Sequence, residues 1–365
     1  MSTRKRLRPE DYTVGGLCAL ARTEQVAAIK MLDEQHQELP KPARDFNTYT
    51  YGSIGGHNTV IVCLPLGHPG TTSASRMADL LPTSFPNMRL YLFVGVGGGI
   101  PRNPPDTDAS RDIHLGDVVV GVDETPGVAG VDQYDFIRDQ GGGARELLGR
   151  LDKPNLELLT ALGKLFSNYE MGDSNPQVHL AKLKGLRSDF SRPSPGGDKL
   201  YRSSYEHVLG KPNCDHCSTE ELVVRNERQP PKPKLTEQET AIPVFHQGQI
   251  LSGNSVIKDA SRRDELSQEF PNARCFETEA AGVVDQTHCL VIRGVAHYAD
   301  SHKNQKWQPY AAGTAAAFAR ELLLTVQISV VANLGAIIPA ARQATDPPSS
   351  GQLSQVRRTL SHQWG

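Results

Sequence analysis

The chain has 365 residues, 39 basic against 41 acidic for a formal charge of −2, with 38% hydrophobic and 22% charged side chains. At about 150 residues per domain that is two domains or one large α/β domain, either long enough to bury a sizeable core. Near-neutral charge excludes a nucleic-acid binder that relies on a basic surplus, and no apolar run nears the roughly 20 residues of a membrane helix.

In chain order, Arg4, Lys5, Arg6 and Arg8 lead into no apolar segment, so no secretory signal is expected and the chain reads as soluble and cytoplasmic. Tyr12 to Leu20 reads as a buried strand and Thr23 to His36 as a helix. Thr48 to Ser53 and Thr59 to Leu64 form a hairpin pair around Gly55-Gly56. The turn from Gly67 to Ser73 opens a helix from Ala74 to Leu81. Leu90 to Val94 is a buried strand that ends in the glycines from Gly95 to Gly99. His114 to Asp117 turns into the strand Val118 to Val122. From about 140 to 243 the pattern changes: a helix at Asn155 to Tyr169 precedes a stretch dense in Pro, Gly, Lys and Arg, read as an insertion carrying helices. Strand signals resume at Gly248 to Leu251, then a helix around Ser255 to Phe270, a strand at Cys289 to Val295 and a long helix at Ala311 to Val331. A polar tail follows from about Ala340. Strands alternating with helices predict an α/β layered fold.

Cys18, Cys63, Cys275 and Cys289 fall in apolar runs and read as small core residues. Cys214 and Cys217 form a lone C-x-x-C in a polar segment, with His216 between them and His207 upstream. A structural zinc site ordinarily adds a second pair at ligand spacing. None follows, so zinc completed by the histidines, a disulfide and two free thiols all stand, and no metal or cofactor is assigned.

Several clusters fall at strand ends, where open α/β sheets place their ligand crevice. The turn before the 74–81 helix offers backbone N–H groups to an anion, or is a tight turn with a Thr/Ser cap. Neither a dinucleotide fingerprint nor a P-loop is present. The stronger cluster is Arg274 to Gly282 followed by Val291 to His302. Two carboxylates two apart open a small-residue helix there. Glu279 has the chemistry to accept hydrogen bonds from a ligand diol; helix N-terminal acids complementing the macrodipole are the plainer explanation.

The ordered stretches Asp11-Tyr-Thr-Val-Gly15, Val94-Gly-Val-Gly-Gly-Gly99, His114-Leu-Gly-Asp117, Gln133-Tyr-Asp135, Leu251-Ser-Gly-Asn254, Phe276-Glu-Thr-Glu-Ala-Ala-Gly282 and Asp300-Ser-His-Lys-Asn304 run along nearly the whole chain. In them it resembles the nucleoside phosphorylase and uridine phosphorylase superfamily, especially its fungal branch. The resemblance implies one α/β/α domain over 11–335 with a central twisted mixed sheet, an insertion at about 140–243, tails at 1–10 and 336–365, and a homo-oligomer acting on a small-molecule substrate. By analogy with methylthioadenosine nucleosidases, Glu24 would hold the attacking water and Glu279 the ribose hydroxyls. Phe276, Thr278, Gly97, Gly98, Val256, Arg293, Thr71 and Thr72 would surround the substrate.

The same resemblance exposes departures. The family's purine-protonating aspartate, four residues past the arginine of the last strand, is His297 here, and Asp300 matches a second family aspartate. Gly16 stands where the fungal pattern has tryptophan, Thr278 where it has methionine, Pro69 where it has tyrosine. Arg22 and Arg76 are the only basic residues considered for a phosphate. A positioned acid contributes about 10²–10⁴-fold, and an unperturbed histidine is mostly neutral at pH 7. The favoured expectation is therefore a repurposed enzyme of secondary metabolism that cyclises or rearranges a non-nucleoside intermediate, with His297, Glu24 and Asp300 at its centre. The alternatives are N-glycosidic cleavage with His297 as acid, which predicts a rate falling as pH rises, and a non-catalytic nucleoside sensor or assembly module.

Overall fold

Buried apolar runs separated by glycine turns supply the strands, and the computed structural model describes residues 4–108, 110–139, 145–149, 151–193, 197–226 and 243–334. β1 (Val14–Cys18) is followed by a π-helical turn, Ala21–Gln25, and a short α1 (Val26–Lys30). The helix expected to reach His36 stops there because the chain pairs instead as β2 (Glu34–Gln35) on the edge of β3 (Tyr49–Ile54). β3 and β4 (His57–Cys63) form the expected hairpin. Gly55 and Gly56 have φ of 56° and 86°, the conformation a two-residue primed turn demands.

α2 (Thr71–Ser84) starts three residues earlier than the periodicity predicts and runs through Pro82. β5 (Leu90–Gly99) continues through the glycine run at which the strand was expected to end. β6 (Val118–Gly121) and β7 (Val131–Gln133) follow, then a separate hairpin of β8 (Ile137–Asp139) and β9 (Arg145–Leu147). The expected insertion helix is α3 (Leu156–Met171). β10 (Phe245–Ser252) is longer than expected, and α4 (Ala260–Glu269) shorter: Asp259 caps it by accepting from the N–H groups of Ser261 and Arg262, which frees 253–258 as a loop. β11 (Ala273–Glu277), a 3₁₀ turn at Ala280–Gly282 and α5 (Val284–Thr287) replace the expected small-residue helix. β12 (Leu290–His297) precedes α6 (Gln308–Thr325) and α7 (Ile328–Asn333), which an extended Val326 separates where one helix was expected. The expected tail beyond 340 lies outside the described residues.

Ten strands make one mixed sheet. β1 lies parallel between β4 and β5, β5 pairs in parallel with β12, and β12 is antiparallel to β6. β6 is parallel to β10, and β10 to both β7 and β11. The end of β11 then returns antiparallel onto Gly98 and Gly99, closing five strands into a ring. α2 packs its Ala74, Met77, Ala78 and Leu81 on one face, while α1, α3 and the alanine-rich α6 cover the other. Gly294 permits that approach, since a Cβ there would collide with the Ala311 carbonyl. No helix among the described residues is long and apolar enough to cross a membrane.

Candidate active site

The last residues of β5, β11 and β12, with the segments after β1 and β10, enclose a cavity of about 210 Å³. Glu24, Gly97, Gly98, Val256, Phe276, Thr278, Glu279 and His297 all line it, so eight sequence-predicted residues meet at one place.

Glu24 enters from the π-helical turn, a rare form that recurs at functional sites. It is buried, and its Oε2 accepts the N–H groups of Ala19 (2.7 Å) and Leu20 (2.9 Å) while Oε1 accepts that of Val96 (2.8 Å). Burial raises its pKa, opposed by the Arg293 charge and the three N–H bonds. The glycines of β5 answer to this geometry: a Cβ at Gly95 would stand 2.6 Å from Glu24 Oε1, and one at Gly97 would strike the Cys275 sulfur.

The two carboxylates after β11 have different tasks. Glu277 pairs with Arg293 Nη2 at 2.8 Å and accepts the N–H groups of Glu279 and Ala280, which fixes the turn. Glu279 accepts the Gly70 N–H at 3.3 Å and the Thr278 hydroxyl at 2.6 Å. Its pKa is raised by burial first and by the Glu277 charge second. Arg293 does not line the cavity; 1% exposed, it donates to the Phe93 carbonyl and stacks on the Phe93 ring at 4.1 Å. Its guanidinium pairs with Glu277.

His297 carries the decisive geometry. The Ala299 N–H donates to its Nδ1 at 3.1 Å, so Nδ1 is an acceptor and the ring proton sits on Nε2. Burial, then the charges of Lys303 and Lys258, push its pKa down to about 3. At that value the ring is neutral at pH 7 and offers Nε2–H as a hydrogen-bond donor, whereas protonating a leaving base as the imidazolium would need the charged form.

Other expectations are corrected. Asp300 is buried, accepts the His302 N–H at 3.0 Å and lines a second cavity of about 250 Å³; His297 borders both cavities. Thr71 gives its hydroxyl (3.0 Å) and its N–H (3.4 Å) to Asn254, Thr72 is exposed, and neither lines the active-site cavity. Arg76 lies over the Phe46 ring, and neither it nor Arg22 reaches the cavity. Gly16 borders a separate apolar cavity of about 40 Å³, so its missing side chain leaves space beside β1 and not at the active site. Lys303, Gln308, Leu20 and Ile257 line the site without having been singled out. For Lys303 a signal existed, its place in the Asp300 to Asn304 motif.

No family model matches the chain. The fold is nevertheless shared with solved nucleosidase and hydrolase structures. The 5′-methylthioadenosine/S-adenosylhomocysteine nucleosidase of Neisseria meningitidis, in complex with methylthio-immucillin-A, superposes with a TM-score of 0.52 at 15% identity over 86% of this chain and 99% of its own. Futalosine hydrolase of Helicobacter pylori gives 0.51 at 14% over 86% and 97%. The resemblance carried by the motifs thus holds at the level of the fold. In sequence the chain is 39% identical over 325 residues to a nucleotide-binding leucine-rich repeat (NLR)-like protein of Hyaloscypha variabilis. The match covers 88% of this chain and 30% of that relative, so the chain spans under a third of its length.

Proposed function

We propose that this nucleosidase-like scaffold binds a small molecule bearing vicinal hydroxyls, a nucleoside or a close analogue, and holds it without proton-assisted loss of a base. The observation that carries the reading is the Ala299 N–H donated to His297 Nδ1, which leaves a neutral Nε2–H where the related enzymes would have a carboxyl. Glu279 supplies the diol acceptor, backed by Thr278 and Gly70. The relative described as a nucleotide-binding leucine-rich repeat (NLR)-like protein supports ligand recognition as the outcome. Turnover by cyclisation or rearrangement, the finer expectation from sequence, uses the same cavity through conformational restriction and needs no acid.

A second reading, hydrolysis of an N-glycosidic bond, is favoured by one observation: Glu24, buried in its N–H cradle, lines the same cavity as Glu279, where it would act as the base for water. Incubating the protein with adenosine, inosine, guanosine, uridine and methylthioadenosine, with and without phosphate, separates the readings. Saturable binding by calorimetry with no free base by chromatography is expected. Base release at enzymatic rates at neutral pH would establish cleavage instead. Failure to bind any of the five would return the pocket to a non-nucleoside ligand.

A further inference from the structure

The C-x-x-C that the active-site cavity leaves unused is folded against the segment following β12. The chain from Tyr201 to Leu222 is closed at its base by a bridge between those two residues and by the bonds Arg202 N–H to Glu221 O and Val223 N–H to Leu200 O. Within it the regular structure is two 3₁₀ turns, Cys214–His216 and Thr219–Glu221. The Cys217 N–H returns to the Cys214 carbonyl at 3.2 Å, a tight turn that presents both thiols, and both are free. His207, seven residues before Cys214, is anchored by its N–H on Ser301 Oγ at 3.0 Å. One of its ring nitrogens and the two sulfurs all lie within 4.8 Å of one another.

Two further observations point to a ligand. His207 Nε2 lies 3.0 Å from the Asn213 carbonyl. A carbonyl only accepts, so Nε2 carries the proton and Nδ1 keeps its lone pair, the orientation a backbone carbonyl imposes on zinc-ligating histidines. His302, its side chain 4% exposed, has no hydrogen bond on either ring nitrogen among the described residues; the Asp300 carboxylate is 3.8 Å from Nδ1. Its ring stacks on Tyr201 at 4.0 Å and meets the His207 ring at 5.5 Å between centroids and 72° between planes. Two imidazoles on one tetrahedral zinc place their centroids about 5 Å apart, so His302, which lies outside the three-residue cluster, needs only a small shift to join it.

We propose that His207, Cys214 and Cys217 bind a zinc ion with His302 as fourth ligand, pinning the 201–222 loop to the 298–307 segment that carries Lys303 into the candidate active site. Two thiolates with imidazoles in a closed four-ligand set are the donor chemistry of structural zinc. Each cysteine gives up its proton as the metal–sulfur bond forms, so two protons leave per zinc and binding tightens as pH rises. The inference stands apart from the nature of the active-site ligand.

The test uses the full chain, reduced, stripped with a chelator and titrated with zinc alone. One zinc per chain with submicromolar affinity is expected, and Cys214→Ser or His207→Ala lowers that affinity by on the order of 100-fold. Cobalt in place of zinc gives the intense visible bands of a tetrahedral thiolate site, and metal removal speeds proteolysis within 201–222. Substoichiometric zinc at micromolar concentration, or an octahedral cobalt spectrum, overturns the site. A His302→Ala variant that binds as tightly as the parent overturns the fourth ligand.

Discussion

Replacing His297 with aspartate returns the carboxyl group to the place the related enzymes keep it. With a pKa near 3, about one molecule in 10⁴ carries an imidazolium at pH 7, which cancels the 10²–10⁴-fold that a positioned acid supplies. An aspartate starts at about 3.9, hence roughly one in 10³ protonated at neutral pH. Burial of the site raises that fraction, and a bound purine nitrogen that accepts from the protonated form raises it further; Lys303 and Lys258 act the other way. The expected gain in base release is therefore about tenfold from populations alone and up to about 10³-fold, or ~1.4–4 kcal/mol off the barrier. The assay is adenine release from methylthioadenosine, followed by chromatography from pH 5 to 8, in His297→Asp beside the parent. Rapid release by the parent, falling as pH rises through 6.5, would refute the neutral-histidine argument. A variant that binds the nucleoside and still releases nothing would refute the claim that Glu24 and Glu279 retain working geometry.

Gly95→Ala forces a methyl to 2.6 Å from Glu24 Oε1; a loss of about 1–3 kcal/mol is expected, read as a fall in Tm, and an unchanged Tm would show that the carboxylate can move aside. Arg293→Met strands Glu277 as an unpaired buried charge and should cost about 3–5 kcal/mol; adding Glu277→Gln should recover part of it in denaturant titrations. The folded protein holds His297 well below its ordinary 6.5, so between that value and about 3 the unfolded chain binds the extra proton. This stability is full above 6.5 and falls as pH drops, by up to about 1.4 kcal/mol per pH unit. A His297→Gln variant should show a shallower acid slope in thermal melts over that window; identical slopes would contradict the assignment.

Local signals were legible in the sequence and long-range ones were not. The hairpin at Gly55-Gly56 is specified by two adjacent residues, and the apolar runs of β1, β4, β6 and β12 by their own composition. The glycines of β5 read as the end of the strand because the atoms that exclude a side chain there, on Glu24, Cys275, His297 and Val295, come from elements far away in sequence. Helix periodicity after Thr23 failed for a related reason: pairing of β2 with β3 outweighs the local preference. At the site, the motifs named Glu24, Glu279 and His297, which the fold gathers around one cavity, and also Asp300, which it does not. The backbone turns at Ala299, whose φ of 52° is left-handed, and Asp300 ends in the neighbouring cavity. The C-x-x-C lacked a second pair in the sequence, whereas the structure supplies His207 from upstream and sets His302 from the far end of the chain beside it.

These particulars bear on catalysis through one distinction. A hydrogen bond from neutral His297 Nε2–H to an acceptor on the ligand lowers a dissociation constant and, as that acceptor gains charge, eases the barrier, but it delivers no proton to the leaving group. An acid acts differently, because its proton moves only as the leaving group acquires charge. Lys303 and Lys258 reinforce the neutral state of the ring and so the first behaviour, while Glu24 and Glu279, both with raised pKa values, keep the polar contacts a ribose-like group requires. On the proposed reading the fold would separate recognition from bond cleavage at a single side chain, and burial of that side chain first, with the Lys303 and Lys258 charges second, would hold the separation across the neutral pH range.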